Sequence, residues 1–409
     1  VSASRARGPD GTIVGRRADA TADIGAYSIY PWTAAIEPVQ TISFLPGPYR
    51  VPHYRGRTRG VATCKAPLGP YRGVGRPVAT FVMEGLMDRA ARRLGMDPTE
   101  LRLRNFIRPE EFPYQSPSGI VWDRASFTET MLRARETLGY EAARAEQAQV
   151  RAEGKWIGVG FASYVELTGI GSAIPVSPGM PVATGTEAAT VRVDPGGTVT
   201  AIFGIASHGQ GLETSLAQVV AEEIGVPLEH VRVVHGDTAL SPYGTGTYAS
   251  RSAVLAGGAG ILAGRSVREK ALKIAAHLLE ADPADLVVNG GRVAVRGTPD
   301  RGVTFREIAQ AAYSGARRLP QGMEPGLEAT RFYDPYYGTA SSATHAAIVE
   351  VDRETYEVRI RRYVVVEDCG RIINPMVVDG QIMGGIAQGL GGALFEQMIY
   401  DEQGQPLTT

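Results

Sequence analysis

Four glycine-rich segments constrain the fold of this chain more than any other feature. They read GPYRGVGRP (69–77), SHGQGLET (207–214), GTGTYASRSA (244–253) and DGQIMGGIAQGLGGALFE (379–396). The first three lead into predicted helices, whose free N–H groups favour anions, and glycine lets the backbone approach a ligand closely. We therefore expect the four segments to surround one extended, heterocyclic and anionic ligand.

The stretches between these segments predict an α+β chain with mixed sheets. Apolar residues recur at helical spacing over 77–95, whereas a Pro-Gly-Gly turn and an Asn-Gly turn each join two strand-like runs. With 409 residues the chain is long enough for two or more domains. The polar segment 145–156 predicts a boundary between a first domain (1–150) and a second domain (151–409).

Composition excludes several classes of protein. The net charge of −1 leaves no basic excess with which to bind nucleic acid. The two cysteines, Cys64 and Cys369, form no Cys-x-x-Cys motif, so this chain cannot hold an iron–sulfur cluster on four thiolates. No apolar run reaches the roughly 18 residues of a membrane span, and we find no signal peptide, so we expect a cytoplasmic protein without a transmembrane segment. Because the chain runs from Val1 to Thr409 without an initiator Met, we expect a fragment or a processed subunit.

Segment 69–77 combines its glycines with Arg72 and Arg76, which bring fixed positive charge to a helix N-terminus. A tight turn whose arginines pair with surface carboxylates would explain the same residues. Segment 244–253 offers hydroxyls and Arg251 ahead of a helix, which also suits an anion, although Ser250 could simply cap that helix.

Segment 207–214 has the strand, glycine loop and helix order in which backbone amides bind phosphate. It lacks the third glycine of the dinucleotide fingerprint and the Gly-Lys pair of a P-loop. Gln210, between Gly209 and Gly211, offers both a donor and an acceptor, which suits a heterocycle edge or an oxo ligand. His208 is a candidate base, although a lone histidine beside a glycine turn is more often structural.

Segment 379–396 predicts a helix in spite of its glycines, each of which costs about 0.8–1 kcal/mol relative to alanine. Tight helix packing could explain the glycines, and a flat ligand could explain both them and the two glutamines, Gln381 and Gln388. The glycines concerned are Gly384, Gly385, Gly389, Gly391 and Gly392.

The sequence resembles the large subunits of the xanthine dehydrogenase and aldehyde oxidase family, which includes the aerobic carbon monoxide dehydrogenases. The motifs that match, in the family's order, are YRGVGRP (71–77), HGQGLET (208–214), HGDTALSPYGTGTYASRS (235–252), and DCGRIINP with DGQIMGGIAQGLGGALFE (368–396). The resemblance implies two molybdopterin-binding domains and a molybdopterin cofactor in its cytosine dinucleotide form. Molybdenum would be held by the pterin dithiolene rather than by a protein side chain. The implied reaction is hydroxylation by water of an aldehyde, an N-heterocycle or a related small molecule, with carbon monoxide as an alternative substrate.

The resemblance also implies roles for particular residues. Arg72 and the backbone of Ala249 would lie near the metal, and Val74 would face the substrate where xanthine-specific members carry an aromatic residue. The implied cofactor-binding set is Arg72, Gly73, Gly209, Gln210, Gly211, Thr247, Ala249, Ser250, Arg251 and Gln381. FAD and 2Fe-2S clusters are implied on partner subunits, a FAD subunit and an iron–sulfur subunit, in a dimer of heterotrimers.

Three departures from the family pattern matter. Gly73 stands where copper-containing members carry cysteine, so copper at this loop is not supported, and Cys64 is expected to be an inert structural thiol. The family's Gly-Glu-Gly segment with the catalytic glutamate does not occur up to Thr409, so we assign no catalytic residue in this chain and expect the general base beyond it. The N-terminal segment with the family's other Gln and Phe is missing too.

A non-catalytic or degenerate cofactor scaffold is therefore the alternative, and an ordinary Rossmann oxidoreductase is disfavoured because no G-x-G-x-x-G occurs.

Overall fold

A computed structural model describes residues 1–29, 32–172, 185–314, 318–336 and 338–408. The helices within these ranges are α1 (Ile36–Phe44), α2 (Arg76–Leu94), α3 (Pro98–Asn105), α4 (Phe127–Leu138), α5 (Tyr140–Ala152), α6 (Leu212–Ile224), α7 (Gly257–Leu279), α8 (Phe305–Ser314) and α9 (Pro375–Leu394). The strands are β1 (Ser2–Arg7), β2 (Ile13–Gly25), β3 (His53–Ala62), β4 (Tyr114–Gln115), β5 (Val121–Trp122), β6 (Trp156–Thr168), β7 (Glu187–Val193), β8 (Val199–Phe203), β9 (Val231–Val234), β10 (Leu286–Asn289), β11 (Arg292–Val295), β12 (Thr298–Thr304), β13 (Glu328–Tyr333), β14 (Thr339–Val351) and β15 (Val358–Asp368).

The sheets formed by these strands mix parallel and antiparallel pairs. Strand β2 pairs antiparallel with β1 and parallel with β3, and β8 pairs antiparallel with β7 and parallel with β9. The β15–β14–β6 sheet is antiparallel throughout. The predicted α+β class with mixed sheets is therefore confirmed.

Two hydrophobic cores organise the described residues. The first contains residues of α1 to α5, of β2 and of the β15–β14–β6 sheet, with buried side chains such as Met83, Trp122 and Phe161. The second packs α6, α7 and α8 against the β13–β7–β8–β9 sheet, with Phe203 and Ile274 at its centre. Because β6, β14 and β15 contribute to the first core, that core draws on both halves of the chain. The boundary predicted after residue 150 stays a prediction.

Local sequence signals determine several helix ends. The Asp97 carboxylate accepts the backbone N–H of Thr99 (2.8 Å) at the start of α3. Thr304 and Glu307 form a reciprocal capping box at α8, with Glu307 N donating to Thr304 Oγ1 (3.2 Å) and Thr304 N donating to Glu307 Oε2 (2.7 Å). Gly225 ends α6 in the left-handed conformation that glycine adopts without strain.

Helix α9 is confirmed as a helix, but its surroundings are unusual. None of its 20 described residues is buried, and its one charged residue is Asp379. Met376 and Met383 are 82% and 68% exposed. An apolar helix thus lies on the surface formed by the described residues.

None of the described helices combines the length and the apolar character that crossing a lipid bilayer requires. Cys64 and Cys369 are both free and exposed.

Candidate functional site

The C-terminal end of β6 connects two of the predicted loops. Glu166 on this strand forms an ion pair with Arg76 of segment 69–77, and its Oε1 atom lies 2.9 Å from Arg76 Nη1. Three residues later, the backbone N–H of Gly169 donates to the carbonyl oxygen of Ser250 in segment 244–253 (3.2 Å). Because three residues of extended chain span only about 10 Å, the two loops lie side by side.

A small apolar cluster joins the same two loops from another side. Val74 and Trp32 pack against the buried side chain of Ile36 at the start of α1. The rings of Trp32 and Tyr248 lie 4.9 Å apart between centroids. Val74, the residue predicted to face the substrate, therefore lies close to the loop that contains Ala249.

Helix α9 contacts the exposed side chain of Arg72. Arg72 Nη1 donates to the amide oxygen of Gln388 (3.4 Å), and Nη2 donates to the carbonyl oxygen of Gln381 (3.3 Å). A Cβ added at Gly384 or Gly385 would lie 3.7 Å from the Arg72 guanidinium. The Gln/Gly side of α9 thus faces segment 69–77.

Segment 207–214 is tied to both α9 and segment 244–253. A Cβ at Gly211 would come within 2.7 Å of Val377 in the first turn of α9. The hydroxyl of Thr247 accepts the backbone N–H of Ala206 (3.2 Å), just before the loop. All four predicted segments therefore meet in one region of the molecule.

The backbone is strained at three of the predicted residues. Val74, Ala249 and Ser250 adopt left-handed conformations, with φ of 46°, 49° and 53°. Such a conformation costs a non-glycine residue about 1–3 kcal/mol and is concentrated at ligand-binding sites. A π-helical turn, Ser252–Ala256, follows directly, and π-turns are also frequent at functional sites. The strain is typical of a loop whose shape is set for a ligand.

Glycine in the predicted loops often serves the protein's own packing. A Cβ at Gly73 would lie 2.6 Å from Pro77, and one at Gly75 would lie 2.8 Å from the backbone nitrogen of Thr41. A Cβ at Gly244 would collide with the Glu187 carboxylate. By contrast, a Cβ at Gly209 would meet no described atom within 4 Å, so there the backbone is open to a ligand.

Two predicted polar side chains are engaged within the protein. Arg251 is fully buried, forms an ion pair with Glu187 and donates to the carbonyl oxygen of Gly246 (2.7 Å). Its guanidinium therefore stabilises the loop, and only its backbone remains to contact a ligand. The amide oxygen of Gln210 accepts the backbone N–H of His208, whose ring is exposed.

Burial perturbs titratable groups on the sheet that supports the loops, none of which we predicted from the sequence. Burial raises the pKa of Glu166 to about 7, against the opposing effect of Arg76. Burial also raises the pKa of Glu367, with a smaller contribution from the charge of Asp368. His345, whose Nδ1 lies 2.8 Å from the Tyr363 hydroxyl, has its pKa lowered to about 4 by burial. A glutamate such as Glu166 inside an apolar strand was the available signal, because a buried carboxylate needs a partner.

Two family models match this chain, and both describe a molybdopterin cofactor-binding domain. One covers residues 4–106 and the other covers residues 133–409. Together with the converging loops, these matches define the class of protein. The chain belongs to the family of molybdenum-binding large subunits that includes xanthine dehydrogenase and carbon monoxide dehydrogenase, as the resemblance of its motifs predicted.

Individual relatives are similar over nearly all of the chain. The nicotine 6-hydroxylase large subunit of Paenarthrobacter nicotinovorans is 39% identical over 415 residues, which cover 100% of this chain and 50% of that protein. The carbon monoxide dehydrogenase large chain of Hydrogenophaga pseudoflava is 38% identical, over 98% of this chain and 50% of that protein. The crystal structure of quinoline 2-oxidoreductase from Pseudomonas putida 86 superposes with a TM-score of 0.93 at 42% identity, over 99% of this chain and 51% of that chain. The chain thus spans about half the length of these relatives.

Proposed function

We propose that this chain forms most of the cofactor-binding cleft of a molybdenum hydroxylase large subunit. The observation that carries the proposal is the contact of Arg72 with Gln381 and Gln388, which joins the first predicted segment to the last. Family membership supplies the nature of the ligand, molybdopterin with molybdenum.

The polar groups at this junction fit a flat, anionic heterocycle. Arg72 is an exposed cation, the amides of Gln381 and Gln388 offer donors and acceptors, and the backbone at Gly209 is open at the start of α6. We assign the cofactor contacts to Arg72, Gly73, Gly209, Gln210, Gly211, Thr247, Ala249, Ser250 and Gln381, with Arg251 contributing through its backbone. When bound, the molybdenum–pterin group supplies the redox chemistry of hydroxylation by water.

As the substrate class we propose an N-heterocycle. Two of the similar proteins are named for nicotine and quinoline, both of which contain such rings. Val74, which we expect to face the substrate, packs beside Ile36 and Trp32, and its side chain is smaller than the aromatic residue of xanthine-specific members. Gly73 supplies no thiolate for copper, which disfavours the chemistry of the Cu,Mo-containing carbon monoxide dehydrogenase.

The remaining parts of the proposal concern the whole enzyme. We infer the cytosine dinucleotide form of the cofactor, partner subunits that carry 2Fe-2S clusters and FAD, a dimer of heterotrimers and a cytoplasmic location. Relatives named as a large subunit and as a complex subunit gamma support a multi-subunit assembly. We assign no general base among these 409 residues and expect another part of the enzyme to supply it.

Metal and pterin analysis of the complete purified enzyme tests the proposal. We expect molybdenum and a pterin in equal amounts, and an enzyme with neither would overturn the assignment. Arg72→Ala should lower molybdenum content by about tenfold, the lower end of what loss of a supporting contact costs a metal site. Arg93→Ala, another exposed arginine, on α2, is the matched control and should retain molybdenum.

Product analysis in ¹⁸O-labelled water tests the reaction and the substrate class together. The panel should contain quinoline, nicotine, an aromatic aldehyde and carbon monoxide. We expect turnover of an N-heterocycle with ¹⁸O in the product. Turnover of carbon monoxide alone, or oxygen derived from O₂, would contradict the proposed substrate or the proposed reaction respectively.

A further inference from the structure

Two of the predicted loops end in an arginine that is buried. Arg76 closes YRGVGR and is 8% exposed, and Arg251 closes TYASR and is fully buried. Each follows the strained part of its loop within two residues, namely Val74 in one case and Ala249 with Ser250 in the other. The two loops lie far apart in the sequence, but each has a buried arginine just after its strained residues.

Each arginine is paired with a glutamate on a neighbouring strand. Arg76 pairs with Glu166 of β6, and its guanidinium lies 4.2 Å from the centroid of the Phe44 ring. Arg251 pairs with Glu187 of β7 and also donates to the backbone carbonyls of Gly185 and Thr186 (both 3.3 Å).

The protein makes room for the second of these pairs. The Glu187 side chain has no solvent exposure, and a Cβ added at Gly204 would come within 2.6 Å of its Oε1 atom. The same carboxylate oxygen occupies the space beside Gly244. Both glycines thus allow the strand and the loop to enclose the Glu187 carboxylate.

We propose that Glu166 and Glu187 are positioning residues, which hold the two strained loops in the conformation that receives the cofactor. The inference rests on the proposed function. Truncating either glutamate to alanine removes the side-chain oxygen that the arginine contacts as well as its counter-charge, so the arginine moves toward water and takes its loop with it. A left-handed backbone at a non-glycine residue persists only while its surroundings enforce it. Loss of either glutamate should therefore relax the neighbouring loop.

A third buried arginine provides a control for the loss of a core carboxylate. Arg102 is fully buried and pairs with Glu84 (2.7 Å) inside the first core, and it keeps a second partner, Asp88 (2.8 Å), when Glu84 is removed. Glu84 also accepts the backbone N–H of Ser163 (3.3 Å), but it contacts neither of the two loops among the described residues. Glu84→Ala thus reproduces the loss of a buried carboxylate without touching the predicted cleft.

The experiment compares Glu166→Ala, Glu187→Ala and Glu84→Ala in the complete enzyme. Molybdenum and pterin content are measured after gel filtration, together with the melting temperature of each variant. We expect the first two variants to lose about tenfold more molybdenum than Glu84→Ala, as for other groups that support a metal site. Glu166→Gln and Glu187→Gln, which keep an acceptor for the arginine, should restore most of the cofactor.

The other outcomes distinguish failure of this inference from failure of the proposed function. Equal retention in all three alanine variants would show that Glu166 and Glu187 serve stability alone and would overturn the inference. Failure of the glutamine variants to restore the cofactor, although they fold, would overturn it as well. A wild-type enzyme without molybdenum and pterin would instead refute the proposed function. If an alanine variant does not fold, the corresponding glutamine and aspartate variants decide, because aspartate shortens the side chain and should lower retention while glutamine should not.

Discussion

Arg72 Nη1 lies 3.4 Å from the amide oxygen of Gln388, although 316 residues separate the two in sequence. Arg72 is exposed and Gln388 is half-buried, so the hydrogen bond between them contributes little to folding. Its structural effect is to hold the glycine-rich side of α9 beside the first predicted loop.

We predict that Gln388→Ala changes the free energy of unfolding by no more than about 0.5 kcal/mol, as expected of a surface substitution. The same variant should lower molybdenum retention in the complete enzyme, because Arg72 loses a partner. Urea denaturation and metal analysis measure the two effects. Gln403→Ala, at an exposed position after α9, is the control. Unchanged molybdenum retention in both variants would show that Gln388 does not support the cofactor-binding cleft.

The strain at Ala249 predicts an unusual response to glycine. Ala249→Gly should leave the free energy of unfolding unchanged or raise it by up to about 1 kcal/mol, because glycine adopts the left-handed conformation readily. For comparison, Ala145→Gly in the exposed middle of α5 should lower the free energy of unfolding by about 1 kcal/mol. Equal destabilisation of both variants in urea titrations would argue against strain at Ala249.

The raised pKa of Glu166 makes stability depend on pH. The folded state keeps a proton on Glu166 up to about pH 7. A glutamate in the unfolded chain has its ordinary pKa of 4.5 and releases the proton at a lower pH. The free energy of unfolding should therefore fall as pH rises from 4.5 to 7, by at most about 3.4 kcal/mol at 1.36 kcal/mol per pKa unit.

Glu166→Gln should remove this part of the pH dependence, so the variant should gain stability relative to the wild type between pH 5 and pH 8. Urea titrations at the two values measure the gain. Glu129→Gln, on the exposed face of α4, should not change the slope. A wild-type enzyme and a Glu166→Gln variant with parallel pH profiles would contradict the raised pKa.

Two glycines of the predicted loops should differ in their tolerance of a side chain. Gly244→Ala places a Cβ against Glu187 and should destabilise the protein by several kcal/mol, as expected when a buried ion pair is disturbed. Gly209→Ala meets no described atom and should cost only about 1 kcal/mol, for its positive φ. Thermal unfolding of the two variants should rank them in this order, and the reverse order would refute the enclosure of Glu187 by Gly244.

Much of the fold could be predicted from sequence because its signals are local. The caps at Asp97 and Thr304 and the turns that join β7 to β8 and β10 to β11 depend on residues only a few positions apart. The four glycine-rich segments were also found, because their motifs are continuous in sequence.

The ion pairs that hold these segments in place could not be predicted from the sequence. Glu166 and Glu187 are single residues in strands, and their partners, Arg76 and Arg251, lie 64 or more residues away. The sequence predicted that Arg251 lines the cofactor but not that its guanidinium is buried against Glu187, which leaves the backbone of Arg251 for that contact. Spacing along the chain carries no information on such long-range ion pairs.

The exposed apolar surface of α9 affects how the isolated polypeptide will behave in a test tube. This 20-residue helix with a single charged residue exposes the side chains of Met376, Met383 and Leu394 to water. Apolar patches of this kind drive association, and sulfate or phosphate salts strengthen the effect. Preparations of these 409 residues by themselves will therefore stay monodisperse longest in dilute, low-salt buffers.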